Sequence, residues 1–258
     1  MSGGRSTPPP DPPGPERRPT PANHQEKRKR TMTTMTLKEA LAEILDPRDR
    51  TVVDVGCGDG ALTRHFAGLG ARAIGIEISE CQLARARKAE PVAGADYRVG
   101  KGEALPLEDA SVDAIVYSNS FHHLPLAVMA DAMAEAARVL KPGGTLVVVE
   151  PIAEGAYFEV ILPIEDETEV RAAAYDTLKH PPLPLQAVDE TVYGTVVRYR
   201  DADHYLTHVT AVDPARRERL PPVEAEVRRR FAASGRIDAE GMTAFDQPMR
   251  RMVFKRLP

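Results

Sequence analysis

Three glycines in five positions, Gly56, Gly58 and Gly60, are the residues of this sequence best suited to holding a ligand. They follow Thr51 to Val55, an unbroken apolar-rich run that reads as a buried parallel strand, and they precede Ala61-Leu62-Thr63, where a helical pattern begins. Strand, glycine turn, helix directs backbone N–H groups and a helix N-terminus at a ligand, and glycine lets that ligand approach bare backbone. Asp54 interrupts the strand just before the turn, where its carboxylate can accept loop amides or reach a ligand. Cys57, flanked by glycines, is a small packing member of the loop and not a nucleophile, because no C-x-x-C or paired His accompanies it in sequence. Glu77 closes the next strand 17 positions beyond Gly60, where a carboxylate can accept two hydrogen bonds from ribose hydroxyls. Ile78 beside it offers an apolar face to a purine, while a carboxylate capping the next helix is the alternative role for Glu77. His122 and His123 fall just beyond the fourth expected strand, at the edge where ligands bind in such sheets. A neutral imidazole there can take a proton near neutral pH; packing or capping the following helix is the other role open to the pair.

The elements that must position these groups alternate along the chain. Thr36 and Glu39 form a capping box for a first helix carrying Leu37, Leu41, Ile44 and Leu45 on one face, ended by Asp46-Pro47. After the glycine loop a helix is expected over 61–68, a second strand over 71–78, a helix capped by Ser79 and Gln82, and a third strand over 96–99. A fourth strand follows at 112–117, then a long helix entered at Pro125, broken by Pro142-Gly143-Gly144 before a fifth strand at 145–150. That rhythm predicts an α/β fold with a Rossmann-like, doubly wound sheet. Beyond Pro151 the alternation stops: 152–178 reads as mostly helical, 191–199 as strand, 223–233 as helix and 248–255 as a final strand. Residues 1–35, with eight prolines before Ala22 and the run Lys27-Arg28-Lys29-Arg30, read as a disordered basic tail.

Length and composition bound the function. A chain of 258 residues, 42% apolar and 28% charged, suits one large soluble α/β domain. No apolar run reaches the roughly 18 residues needed to span a bilayer, and no secretory signal opens the chain, so a cytoplasmic location without membrane attachment is expected. Two cysteines make neither a disulfide framework nor a metal-ligand spacing. Residues 1–30 carry a charge balance of +4 and residues 31–258 one of −8. An acidic body is ill suited to gripping a phosphate backbone, which disfavours nucleic acid as a partner. Arg216-Arg217-Arg219 and Arg228-Arg229-Arg230 read as solvated helix faces.

G-C-G-D-G-A by itself also satisfies the dinucleotide pattern G-x-G-x-x-G/A, which leaves NAD(P) open. Five segments in order bring a more specific likeness: V-V-D-V-G-C-G-D-G at 52–60, G-I-E-I-S at 75–79, E-A-L-P-L-E-D-A-S-V-D-A-I-V at 103–116, N-S-F-H-H-L at 119–124 and R-V-L-K-P-G-G-T-L at 138–146. Over roughly 37–151 the chain resembles the class I S-adenosylmethionine-dependent methyltransferases of the methyltransferase type 11 family. The resemblance implies a seven-stranded, mostly parallel sheet, a cofactor-binding core at 36–151, substrate-cover insertions within 152–246 and a final strand at 247–258. It implies S-adenosyl-L-methionine as cofactor, S-adenosyl-L-homocysteine as product, and a small-molecule acceptor methylated on O, N or C.

Cofactor contacts would come from Asp54, Gly56, Cys57, Gly58, Gly60, Glu77, Ile78, Gly102, Glu103 and Asn119, with His122 and His123 as candidate catalytic groups and no metal. Asn119 would position the methionine end. Where the family commonly offers an acid to the adenine amino group, two residues before Glu103, this chain has Lys101, which cannot accept that bond. Glu103 or the Gly102 backbone would then read the adenine edge. Tyr157, Phe158, Tyr193, Tyr199 and Tyr205 would line an acceptor pocket or belong to the core. An NAD(P)-dependent oxidoreductase and a non-catalytic S-adenosylmethionine-binding regulator are the alternatives, Lys101 being the residue that favours the latter.

Overall fold

Backbone pairing organises the protein around strand β1 (Thr51–Val55), in keeping with its Val-rich run. The structure is a computed structural model that describes residues 32–258 apart from Pro214, so the basic run at 27–30 and most of the expected tail lie outside the described residues. β1 lies parallel between β2 (Arg72–Glu77) and β4 (Val112–Ser118), with β3 (Ala95–Val99) beyond β2 and β5 (Leu140–Pro151) beyond β4. Two antiparallel strands complete the sheet: β8 (Thr243–Arg256) pairs with β5, and β6 (Leu185–Tyr199) pairs with β8. The order is β3-β2-β1-β4-β5-β8-β6, the seven-stranded path expected, and a two-residue β7 (Arg236–Ile237) adds an eighth strand beside β8.

Alternate residues of the central strands feed two cores, because successive side chains of a strand point to opposite faces. Val53, Val55, Ile74, Ile76, Ile115 and Tyr117 pack under α4 (Met129–Val139) and α6 (Thr168–Lys179). Val52, Ala73, Ala114 and Val116 pack under α1 (Leu37–Ala42) and α2 (Ala61–Gly68). A third core joins α5 (Ala156–Ile161), α7 (Ala202–Val212) and α9 (Glu224–Ser234) to the ends of β6 and β8 through Phe158, Tyr205, Phe231, Tyr199 and Phe245. The remaining helices are α3 (Glu80–Lys88), capped by Ser79 as expected, and the short α8 (Arg216–Arg219).

Several boundaries differ from expectation for identifiable reasons. Order begins before Thr36: Gly194 N donates to Thr33 O and Met35 N to Gly194 O, each at 2.9 Å. This backbone pairing on the β6 edge needs no apolar side chain, so composition gives no sign of it. Pro125 leads into a short 3-10 turn at Leu126–Val128, and α4 starts only at Met129. Pro142-Gly143-Gly144 falls within β5, with a register shift in its pairing to β4. α7 is an addition to the expected elements; Asp201 accepts a 2.7 Å bond from His204 N and caps it in the ordinary way. The region 152–246, expected as cover insertions, also supplies β6, so part of it belongs to the sheet.

Candidate active site

The carboxyl ends of β1, β2 and β4 open into a cavity of about 600 Å³. Gly56, Glu77, Ile78, Gly102, Glu103, Asn119 and His123 all line it, as does Lys101. Asp54, Cys57, Gly58, Gly60 and His122 are not on its wall.

The glycine loop works differently from the arrangement expected of it. Gly56 N and Cys57 N both donate to Ile76 O, at 2.8 and 3.1 Å, and Gly60 N donates to Cys57 O at 2.9 Å. Gly58 N donates to Glu77 Oε2 at 3.0 Å. These four amides are therefore spent on the protein's own loop, not aimed at a ligand. Gly56 has φ +72°, and a Cβ there would sit 2.5 Å from Ser120 Cβ. Gly60 has φ +77°, and its Cβ would meet the Tyr97 ring at 2.5 Å. Both positions thus demand glycine by conformation and by space.

Glu77 is held by two backbone donors, Gly58 N on Oε2 and Ser79 N at 2.9 Å on Oε1. Each oxygen keeps a second lone pair, so the carboxylate can meet a pair of hydroxyls without reorganising. The two roles weighed for Glu77 coincide: it pins the turn into α3 and still faces the cavity. Next to it Ile78 is 62% exposed, an apolar side chain standing open on the cavity wall. Lys101 Nζ lies 4.0 Å from Glu103 Oε1, a half-exposed pairing that stabilises little. Asn119 holds the left-handed conformation at φ 51°, with its N–H given to Val149 O at 2.9 Å.

Asp54 is a structural group. Its Oδ2 accepts the Thr63 hydroxyl at 2.7 Å inside the core, and burial pushes its pKa up to about 6 against that hydrogen bond. A carboxyl whose folded pKa exceeds its ordinary value of 3.8 makes the folded state bind more protons than the unfolded one between those values. Stability contributed by the protonated form is therefore lost as pH rises from about 4 to about 6, on the order of 3 kcal/mol in all. Asp54→Asn keeps an acceptor for Thr63 and is expected to flatten that part of the pH dependence and to raise the melting temperature near pH 7. Melting curves of both proteins from pH 4 to 8 check this. Cys57 is buried too; burial, with Asp54 and Glu77 nearby, raises its thiol and keeps it unreactive.

The two histidines separate in role. His122 is buried and its Nδ1 contacts Glu150 Oε2, while its Nε2 stands 3.8 Å from Glu167 Oε1. His123 opens onto the cavity, and its ring lies 4.1 Å from that of His122, tilted by 39°. Lost hydration holds His123 below the ordinary histidine pKa; His122 and Arg216 push the same way, Glu167 and Glu150 against. Nitrogens of both histidines and a Glu167 oxygen fall within 4.8 Å of one another. Glu167 is also paired with Arg171 at 2.5 Å and Arg216 at 3.6 Å, which makes the cluster part of an ion-pair network.

Sequence reasoning missed Glu150, Ser120, Glu165 and Arg216. Glu150 ends an apolar strand as Glu77 does, a signal that was available. Arg216 is not on a solvated face: it is buried, with Nε 2.7 Å from Glu165 Oε2, and it lines the cavity with Glu165. Arg217, Arg219, Arg228 and Arg229 are exposed, as expected. None of the five aromatic residues considered for an acceptor pocket lines this cavity. Phe158, Tyr193, Tyr199 and Tyr205 are core, and Tyr157 bonds to Tyr199 through their hydroxyls at 3.2 Å.

Comparison with known proteins agrees with this geometry. Residues 53–148 match the family model described as a methyltransferase domain. The chain is 35% identical over 130 residues to a 24-methylenesterol C-methyltransferase 2 of Oryza sativa, covering 48% of this chain and 35% of that protein. It is 41% identical over 100 residues to a demethylmenaquinone methyltransferase of Tropheryma whipplei, covering 38% and 41%. The matched stretches thus span less than half the length of these relatives. A solved structure of a putative methyltransferase from Bacillus halodurans shares the fold at TM-score 0.56 and 17% identity, over 86% of this chain and 98% of that one. Residues 53–148 are thus a class I S-adenosylmethionine-dependent methyltransferase domain of the type 11 family.

Proposed function

We propose that the protein transfers a methyl group from S-adenosylmethionine to an oxygen, nitrogen or carbon atom of a small-molecule acceptor. The observation that carries this reading is one cavity holding a ribose-type carboxylate and an open apolar platform, Glu77 and Ile78, together with a depressed-pKa imidazole, His123. When bound, the cofactor supplies a methyl group already activated on a sulfonium. The chain's own residues then have to bind, align and deprotonate. Glu77 accepts the ribose hydroxyls, Ile78 packs the purine, and Glu103 or the Gly102 backbone meets the adenine edge. Asn119 orients the methionine end. Alignment of this kind can contribute on the order of 7–11 kcal/mol.

For an O–H or N–H acceptor, His123 takes the proton on a ring nitrogen as the new bond to methyl carbon forms. Its lowered pKa keeps the imidazole neutral, and so able to accept, at pH 7. Support for a small acceptor comes from the relatives' named activities and from the acidic balance of residues 31–258. No helix among the described residues is long and apolar enough to cross a membrane. A cytoplasmic enzyme without nucleic-acid or membrane partners fits these features. Lys101 beside Glu103 favours a second reading, a non-catalytic cofactor-binding protein.

Transfer of labelled methyl from S-adenosylmethionine into a panel of phenols, quinols, amines and sterols tests the proposal. Once an acceptor of the O–H or N–H type is found, His123→Gln is expected to lower kcat about a hundredfold or more. Its S-adenosylhomocysteine affinity should stay within about threefold of the parent. Equal turnover in the variant would remove His123 from the chemistry.

A further inference from the structure

Glu150 is a carboxylate where a neutral acceptor would have served the backbone. It lies buried at the end of β5, and its Oε1 accepts Ser120 N at 3.1 Å and Phe121 N at 2.9 Å. Burying a charge is costly unless something uses it. The other oxygen supplies the use: Oε2 contacts His122 Nδ1. In its carboxylate form Glu150 can only accept, so the proton of that contact then sits on Nδ1. One side chain on β5 therefore fixes three successive residues of the loop after β4.

That loop carries two of the polar groups that line the cavity from this side. Asn119 immediately precedes the pinned stretch and His123 immediately follows it. Ser120 Oγ also donates to Val55 O at 2.6 Å, tying the loop to the end of β1, where Gly56 leaves room for it. The His122 ring lies 4.1 Å from that of His123, so its orientation sets the surface on which His123 rests.

Building on the methyltransferase reading, we propose that Glu150 and His122 are positioning residues for proton acceptance. Glu150 locks the tautomer and tilt of the buried His122, and His122 in turn holds the His123 imidazole toward the acceptor. The proton taken from the acceptor stays on His123, where Glu150 and Glu167 offset its charge, and leaves to solvent through the cavity mouth. Charged and titratable groups facing His123 are His122, Glu150 at the end of β5, Glu167 before α6, and Arg216 on α8.

The test is long-range nitrogen-15 spectroscopy of the histidines in the full chain, in wild type, Glu150→Gln, His122→Asn and, for assignment, His123→Gln. Wild-type His122 should be protonated on Nδ1. In Glu150→Gln the amide oxygen can keep both backbone amides while its NH2 faces Nδ1, so the tautomer should switch to Nε2–H. His123 should titrate lower in Glu150→Gln, which loses an opposing negative charge, and higher in His122→Asn, which loses a neighbouring imidazole. Opposite movements support the proposal. Movement of both variants in the same direction, toward a free imidazole, would mean mere loosening of the loop and would overturn it. So would an unchanged His123 or an Nε2-protonated wild-type His122. Calorimetry with S-adenosylhomocysteine on the same samples separates the two readings: a wild type that fails to bind counts against the methyltransferase reading and leaves the histidine result standing.

Discussion

Gly56→Ala is expected to lower the unfolding free energy by about 2–5 kcal/mol and to abolish S-adenosylhomocysteine binding. The backbone there is left-handed at φ +72°, which costs a residue with a Cβ roughly 1–2 kcal/mol. The added methyl would also lie 2.5 Å from Ser120 Cβ, and overpacking of that kind adds about 1–3 kcal/mol. Relief requires Ser120 to move, and with it the loop that presents Asn119 and His123. Gly58→Ala is the control. Its φ is also left-handed, at +54°, but a Cβ there meets nothing within 4 Å. It should lose only the conformational part and keep its ligand. Denaturant unfolding and calorimetry on the two variants distinguish them; equal damage at both sites would mean that the contact with Ser120 is irrelevant.

Glu77→Ala should weaken S-adenosylhomocysteine by about 2–4 kcal/mol, roughly 30- to 1000-fold. Two losses combine. The ribose hydroxyls lose their charged acceptor, and Gly58 N and Ser79 N lose theirs, at 3.0 and 2.9 Å, so the glycine turn relaxes as well. Glu77→Gln separates the two, because an amide oxygen satisfies one backbone donor and one hydroxyl while its NH2 opposes the others. An intermediate affinity is expected for it. Competition binding with S-adenosylhomocysteine measures all three proteins, and an unchanged affinity in Glu77→Ala would disconnect this carboxylate from the cofactor.

The parts of this site that sequence makes legible are those written in local backbone chemistry. β1, α2 and the capping box at Thr36–Glu39 fall where propensity and capping put them. Glu77 is visible because a charge at the end of an apolar strand has few purposes. What stays hidden depends on partners far along the chain. His122 and Glu150 are 28 residues apart, and the buried state of Arg216 depends on Glu165, 51 residues before it. No periodicity links such pairs. The loop amides are a subtler case: the glycines are obvious, but only the structure shows their N–H groups turned back on Ile76, Glu77 and Cys57. Asp54, expected to accept loop amides or reach the cofactor, lies buried in the core, where its carboxylate accepts the Thr63 hydroxyl from α2. β6 starts at Leu185 and not at the expected Thr191, because residues 186–190 are exposed and carry no alternation of apolar side chains.

Calorimetric titration of the purified full chain with S-adenosylhomocysteine, with NAD and NADP as controls, tests the central claim most directly. The geometry of Glu77, Ile78 and the cavity predicts binding of S-adenosylhomocysteine at one site per chain, with micromolar affinity, about −8 kcal/mol, and no heat from either dinucleotide. Binding of NAD or NADP in its place, or no binding of any of the three, would contradict it.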